Sequence, residues 1–421
     1  MRAPSNRRAF VIGYAAATPL GATFARSWER AAAGEAGFRR VTRCVVETPC
    51  NVVGEIPDWD PAKLDFASGR EVHQWNAAFV LLTMTVCRDA LRDAGLEMSG
   101  TVGPRTACLI GSSLNGHDAY RVAVEGLAQS GPNRVSAFLL PNLCANVPAG
   151  KAGMLLGFTG PVFSPQGACA SGNHAIGLGA RMIRDGDCDF VLAGGVDMPM
   201  LPELIHGFAN MNATIKVRPG DRAFADPAQA SRPFSADRKG FVLAEGAGVL
   251  VLAAEDAVAA HGLHPRAEVL GVGWTSDAHH FTRPHPPTIV RAMREALADA
   301  GLAPADIRYV NAHGTSTPQG DAVEIACLRE VFGAALPRIP VSSNKSQLGH
   351  TLGAAGAIEA ALTIEGMRRG VLLPTINHVP DPALADVDVV PDGSRRQAHD
   401  VALSNAFGFG GTNCCLVFRG V

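Results

Sequence analysis

Three residues stand in settings that suit chemistry: Cys169, His313 and His350. Cys169 lies in Ser164-Pro-Gln-Gly-Ala-Cys-Ala-Ser-Gly172, where small residues on both sides describe a sharp strand-to-helix turn. A thiol in the first turn of a helix meets unpaired backbone N–H groups and the positive end of the dipole. Both favour thiolate, lowering a pKa that is ordinarily ~8.5. Such a thiolate is a nucleophile for acyl groups. The ordinary fate of a cysteine is a small core residue, and the other nine, among them Cys44, Cys108, Cys327 and Cys415, have no comparable setting.

His313 occurs in Tyr309-Val-Asn-Ala-His-Gly-Thr-Ser-Thr-Pro-Gln-Gly-Asp321, a strand running into a loop of hydroxyls and glycines that presents side chains rather than burying them. His350 occurs in Val341-Ser-Ser-Asn-Lys-Ser-Gln-Leu-Gly-His-Thr-Leu-Gly-Ala-Ala-Gly356, again where a loop gives way to a helix. Taken alone, each histidine reads more readily as a hydrogen-bonded structural residue than as a catalyst. His279, His280 and His285 fit no zinc spacing, and no metal is expected.

The elements that must hold these residues alternate as strand and helix along the whole chain, the pattern of an α/β protein. Buried strands are predicted at 106–110, 190–193, 248–252, 309–312, 339–341, 400–404 and 415–418. Arg7-Arg8 and the apolar run to Leu20 resemble a secretion signal. Tyr14 and Pro19 interrupt that run, so we read a strand from Ala9 to Tyr14, a turn at Thr18-Pro-Leu-Gly21 and a helix from about Ala25.

The chain also echoes itself. Ala90-Leu-Arg-Asp-Ala-Gly-Leu96 returns as Ala296-Leu-Ala-Asp-Ala-Gly-Leu302. The Cys169 segment and the Gly349–Gly356 segment each open an Ala/Gly-rich helix, and 241–252 and 401–418 each read as a closing hairpin. Three echoes in one order predict a duplicated βαβ-type unit, with halves 1–258 and 259–421 forming one compact body. The two small-residue helices, apolar all round, are expected back to back in a buried layer, their N-termini facing one cavity.

Composition narrows the function classes. A net charge of −2 favours neither nucleic acid nor an anionic membrane as partner, and no stretch approaches the ~20 apolar residues of a membrane span. Ten cysteines in 421 residues, none as CxxC, suit free thiols in a reducing cytoplasm.

Five ordered motifs carry a resemblance: Ala168-Cys-Ala-Ser-Gly172, Asn311-Ala-His-Gly-Thr-Ser-Thr317, Lys345-Ser-Gln-Leu-Gly-His350, Gly353-Ala-Ala-Gly-Ala-Ile-Glu359 and Ser404-Asn-Ala-Phe-Gly-Phe-Gly-Gly-Thr-Asn413. From Arg8 to Phe418 the sequence resembles the beta-ketoacyl-[acyl carrier protein] synthase II group of the thiolase superfamily, with touches of its nodulation-type branch. The resemblance implies a thiolase-like five-layered αβαβα fold of two pseudo-symmetric halves, and decarboxylative condensation of an acyl group with a malonyl unit. It needs no cofactor. Cys169 would be the nucleophile, His313 and His350 would hold the malonyl thioester oxygen, and Lys345 with Glu359 would pair behind them. The backbone N–H groups of Cys169 and Phe409 would form the oxyanion hole, with Phe409 as gate. Leu114, Thr315, Thr317, Phe407 and Phe409 would contact substrate.

The implied partners are an acyl carrier protein bearing acyl and malonyl groups and a second subunit. A homodimer is expected, with a heterodimer containing a cysteine-less homologue as its rival. Gly167 and Ala170 stand where many relatives carry larger residues, and the basic docking residues are thinned to Lys63, Arg70, Lys216, Arg218 and Arg222. Two other functions compete. A non-catalytic chain-length-factor-like subunit would lack the cysteine, and a degradative thiolase would need a second one. The acyl chain, and whether the pathway is fatty-acid, polyene or polyketide synthesis, stay open at this level.

Overall fold

The alternating apolar runs become strands of one ladder. The computed structural model describes residues 7–61, 64, 69–74, 77–98, 100–391 and 393–421. Its main strands are β1 (Ala9–Ala17), β2 (Thr106–Gly111), β3 (Val162–Phe163), β4 (Phe190–Asp197), β5 (Gly246–Ala254), β6 (Ala267–Ser276), β7 (Tyr309–Asn311), β8 (Val341–Ser342), β9 (Val401–Gly408) and β10 (Thr412–Gly420). Their order across the ladder is β8-β7-β9-β10-β6-β1-β5-β4-β2-β3.

That order is one five-strand pattern used twice. In β1-β5-β4-β2-β3 the first two pairings are antiparallel and the last two parallel. In β6-β10-β9-β7-β8 the same four pairings recur with the same senses. The two sheets touch through β1 and β6 at only two residue pairs, Phe10 with Glu268 and Val11 with Ala267.

The helices that matter are α1 (Phe24–Ala32), α2 (Ala78–Ala94), α3 (Val147–Leu156), α4 (Ser171–Arg184), α5 (Pro202–Asn210), α6 (Pro286–Asp299), α7 (Pro318–Phe332) and α8 (Ala355–Arg369). Helices α2 and α3 cover the outer face of the first sheet, and α6 and α7 that of the second. Between the sheets lie α4 and α8, each touching strands of both. This is the five-layered arrangement implied by the motifs.

The seven-residue echo has a physical job. In each half it ends an outer helix with a glycine in the left-handed conformation, Gly95 at φ 63° and Gly301 at φ 66°. The aspartate two residues earlier accepts a strand N–H: Asp93 from Tyr14 at 2.9 Å, Asp299 from Val272 at 2.8 Å. Beside that bond each strand carries a glycine, because a Cβ on Gly13 would stand 2.6 Å from Ala94 and one on Gly271 2.8 Å from Ala300. The motif is a docking latch, helix end onto strand, made twice.

Some expectations need correction. The 241–252 segment is no hairpin: β5 pairs with β4 across the long insertion 198–245, whereas β9 and β10 do form one. Strand β6 was not foreseen, because its glycines break the apolar run. The first strand continues past Tyr14 to Ala17 in the middle of the ladder and is buried throughout, so the run after Arg7-Arg8 belongs to the core. The turn at Thr18 and Gly21 and the Thr23-capped helix follow. Among the described residues no helix is long and apolar enough to cross a membrane.

The central helices meet where neither has a side chain. A Cβ on Gly172 would lie 2.7 Å from the Ala357 nitrogen, and one on Gly356 2.3 Å from Asn173 Oδ1. Gly356→Ala is therefore expected to destabilise by about 1–3 kcal/mol through overpacking. Gly207→Ala, in α5 with nothing among the described residues beyond its own helix within 4 Å of the new methyl, is expected to stabilise by about 0.5–1 kcal/mol. Urea unfolding of both variants checks this, and equal midpoints would refute the close approach.

Candidate active site

Cys169 sits in a single 3₁₀ turn, Ala168–Ala170, directly before α4. Ala168 is held at φ 47°, a left-handed conformation that costs a non-glycine residue about 1–2 kcal/mol. The loop after β9 closes over this turn. Thr412 Oγ1 donates to the Gly167 carbonyl at 2.7 Å, and a Cβ on Gly408 would fall 2.4 Å from that same oxygen. The backbone N–H groups of Phe409 and of Cys169 itself lie close enough to the sulfur to favour its thiolate. Gly167 has its own reason: a Cβ there would lie 2.6 Å from His174 Nδ1, which also sits 3.0 Å from the Ala170 carbonyl.

The expected lowering of the thiol pKa does not occur. Burial pushes Cys169 up to about 12, and the buried carboxylate of Asp197 adds to the rise. Lys345 and the two backbone N–H groups oppose it without prevailing. The helix start was read correctly, but the dehydration of a buried sulfur outweighs it. Asp197 accepts from Ser112 Oγ at 2.9 Å, from the Leu114 N–H at 2.9 Å and from the Gly353 N–H at 2.6 Å, and burial raises its own pKa.

His313 and His350 stand ring against ring, centroids 5.4 Å apart and planes nearly perpendicular. Burial first, then the Lys345 charge, holds both well below the ordinary histidine range, so both are neutral. Among the described residues their Nδ1 atoms have no hydrogen-bond partner. Phe407 flanks His313 at 5.4 Å and Phe241 flanks His350 at 5.3 Å, fixing the rings by contact. His350 precedes α8 by a short turn rather than starting it, its N–H bonded to the Val242 carbonyl at 2.8 Å.

Behind them Lys345 Nζ is paired with Glu359 Oε1, both fully buried. Asn311 reaches Glu359 at 3.4 Å and Ser404 at 3.2 Å, and Asn344 donates to Asn311 at 3.1 Å. Sequence reasoning missed Glu324. This buried carboxylate accepts the N–H of His313 at 2.8 Å, the N–H of Gly314 at 2.7 Å and Asn405 Nδ2 at 3.1 Å, and so shapes the histidine loop. The one signal for it was an acidic residue on the buried face of α7, eleven residues after His313.

Cys169, His313, His350, Glu324, Phe407 and Phe409 line one cavity of about 590 Å³. Thr315 and Thr317 line it too, their hydroxyls 3.0 Å apart, and Thr317 Oγ1 also accepts the Gly320 N–H as the cap of α7. Leu114 does not line this cavity; it packs on the apolar cluster of Cys169, Met200 and Leu352. Phe409 meets Phe281 of the same lining, ring centroids 5.9 Å apart. Cys414 and Cys415 are buried in β10 outside the cavity wall. Of the thinned basic residues, Lys63 lies outside the described residues and Arg70 and Arg218 are exposed. Lys216 bonds Asn212, and Arg222 is tied to the Asn377 carbonyl at 2.6 Å. Among the described residues no three of His, Cys, Asp and Glu are grouped to share a metal ion.

Two family models match this chain: the beta-ketoacyl synthase N-terminal domain over residues 6–257 and its C-terminal domain over residues 266–379. The chain belongs to the beta-ketoacyl synthases. It is 37% identical over 420 residues to 3-oxoacyl-[acyl-carrier-protein] synthase 2 of Coxiella burnetii, covering 99% of each chain. Among solved structures it resembles a type II polyketide ketosynthase in complex with its acyl-carrier protein and bound to a hexaketide. That match has a TM-score of 0.89 at 26% identity and covers 99% of this chain and 100% of that one. The ishigamide ketosynthase/chain length factor matches with a TM-score of 0.89 at 29% identity, over 99% of this chain and 100% of that one.

The raised thiol pKa has a measurable consequence for this ketosynthase. Only thiolate reacts with iodoacetamide, and below a pKa of about 12 the thiolate fraction climbs tenfold per pH unit. Alkylation of the Cys169 peptide, followed by mass spectrometry, is expected to accelerate steadily from pH 7 to 10. A rate already level at neutral pH would refute the buried, protonated thiol.

Proposed function

We propose that this ketosynthase joins an acyl group held on Cys169 to malonyl-[acyl carrier protein], releasing carbon dioxide and giving beta-ketoacyl-[acyl carrier protein]. The observation that carries the reading is one buried sulfur and two neutral imidazoles facing a single cavity. In the first half-reaction the Cys169 sulfur displaces the carrier thiol from its acyl thioester, an exchange between similar leaving groups. The tetrahedral oxyanion lies where the N–H groups of Cys169 and Phe409 converge, so the loop that places Phe409 also acts as the gate.

In the second half-reaction the malonyl carboxylate leaves as carbon dioxide and its electron pair passes into the thioester, making an enolate. His313 and His350, neutral and therefore each carrying one N–H, stabilise the enolate oxygen; loss of one such donor typically costs ~2.7–4 kcal/mol. The enolate carbon attacks the acyl carbonyl on Cys169, and the sulfur departs. Lys345 and Glu359 act through the histidines: the ammonium charge disfavours a second positive charge on either ring. Thr315 and Thr317 line the approach for the pantetheine arm, Phe407 the wall beside His313, and Leu114 the acyl side of Cys169.

In this reading residues 1–258 supply the nucleophile half and 259–421 the two-histidine half, working as one unit in the cytoplasm. The partner is an acyl carrier protein, and the subunits form a homodimer. Exposed apolar side chains favour a second subunit: Met154, on α3 against the edge strand β3, is 76% exposed, and Leu140, on the short helix packed against α3, is 72% exposed. The same family resemblance keeps the pairing with a cysteine-less homologue in view. Its fatty-acid, polyene or polyketide pathway follows from which acyl groups load Cys169.

Separated half-reactions test the roles. Cys169→Gln is expected to release carbon dioxide from malonyl-[acyl carrier protein] while forming no product, and His313→Ala and His350→Ala to release it at least about a hundredfold more slowly. Equal release from all three variants would remove the histidines from their role. Light scattering on the purified chain, alongside its condensing activity, is expected to give an active species of twice the chain mass. An active monomer overturns the dimer, and a chain inactive until co-expressed with a cysteine-less homologue replaces the homodimer by the heterodimer.

A further inference from the structure

The cavity reaches solvent between two lips. One is the segment His280–Pro284, and the other is formed by Met211 and Asn212 at the end of α5 with Gln319 at the start of α7. The first lip is built on a histidine. His280 Nδ1 accepts the N–H of Thr282 at 3.1 Å and the N–H of Arg283 at 3.2 Å, and the Phe281 carbonyl accepts the N–H of Gly410 at 2.8 Å. The backbone of the lip is thereby fixed, while the Arg283 side chain stays exposed with no hydrogen-bond or ion-pair partner among the described residues.

Arg283 is also the one formal cation of the cavity lining among the described residues. The two carboxylates of the lining are already engaged: Asp277 by Asn413 and Thr288, and Glu324 by the His313 loop. Asn212, in the same lining, bonds the ammonium of Lys216, a second cation whose hydrogen-bond partner among the described residues is a neutral amide. An exposed guanidinium on a fixed backbone in the cavity lining, with no carboxylate partner among the described residues, suits an anion that stays at the surface while a neutral tail passes inward. Guanidinium and phosphoryl oxygens pair through two parallel N–H···O bonds.

We propose that Arg283 binds the phosphoryl group of the pantetheine arm on which the malonyl donor is delivered, setting how far the thioester enters. The inference rests on the condensing function proposed above and adds a positioning residue to it. The phosphoryl chemistry is shared by a carrier-bound arm, a phosphodiester, and by coenzyme A; we assign it to the carrier.

The test measures KM and kcat of the full chain with malonyl-pantetheine, malonyl-4′-phosphopantetheine, malonyl-coenzyme A and malonyl-[acyl carrier protein]. Arg283→Ala is expected to raise KM about tenfold for the phosphopantetheine and carrier donors, the worth of one charge-assisted hydrogen bond at a half-open site. For phosphate-free malonyl-pantetheine the change should stay within about twofold, and kcat should move little throughout. Arg283→Lys should recover part of the loss, and 0.5 M salt should shrink the wild-type advantage. An equal loss with and without phosphate overturns phosphoryl recognition, as does a loss confined to the carrier that the phosphopantetheine donor does not share. A loss confined to coenzyme A overturns the carrier assignment. A wild-type chain that condenses none of the four donors overturns the function itself, a result distinct from any change at Arg283.

Discussion

Everything at the site depends on how closely α4 and α8 approach in the central layer. Gly172 and Gly356 leave no side chain between the helices, so their backbones touch where each helix begins. The turns that lead into them, Ala168–Ala170 and Leu352–Ala354, are thereby pressed against one another and against the strand ends of both sheets. Each carries a non-glycine residue in the left-handed region, Ala168 at φ 47° and Leu352 at φ 52°. Such strain persists only where the surroundings over-determine it. Here the surroundings are two sheets and two helix starts, all contributed by the duplicated unit.

Duplication explains the framework, and divergence explains the chemistry. In the first half the turn before the helix carries Cys169, and the strand that ends over it is β9 of the second half, closing with Gly408. In the second half the turn carries Gly353, and the strand that ends over it is β4 of the first half, closing with Asp197. One crossing holds a buried thiol under a glycine loop that brings the Phe409 N–H close to it; the other holds a glycine N–H against a carboxylate. The buried ions around them, Asp197, Glu324, Lys345 and Glu359, are costly to dehydrate. Each is repaid by several fixed hydrogen bonds or by a buried partner, and Asp197 and Glu324 hold loop backbone N–H groups in that way.

Much of this was legible in the residues. The seven-residue echo marked the outer helices because it encodes a complete local device, a left-handed glycine and an aspartate that meets a strand. The motifs around Cys169, His313 and His350 were legible because small residues and hydroxyls announce turns. What stayed hidden was long-range. Nothing local ties Glu324 to the His313 backbone, or Asp197 to Gly353 across 156 residues. The strand β6 hid behind glycines whose purpose is contact with α6. The thiol pKa was misread for the same reason: the helix start is local and visible, whereas the dehydration of the sulfur is the work of the whole fold.

That dehydrated sulfur bears on survival between turnovers. Peroxides, like thioesters, are attacked by the thiolate and hardly at all by the thiol. With burial pushing the Cys169 thiol up to about 12, thiolate is scarce at neutral pH. An idle ketosynthase therefore offers oxidants almost nothing to consume. Sulfenic acid would form slowly there, and in the condensing reading proposed above an acyl thioester would meet the same sulfur beside the N–H groups of Cys169 and Phe409. Under that reading burial slows both reactions, and preference for the acyl donor over an oxidant comes from the N–H groups beside the sulfur.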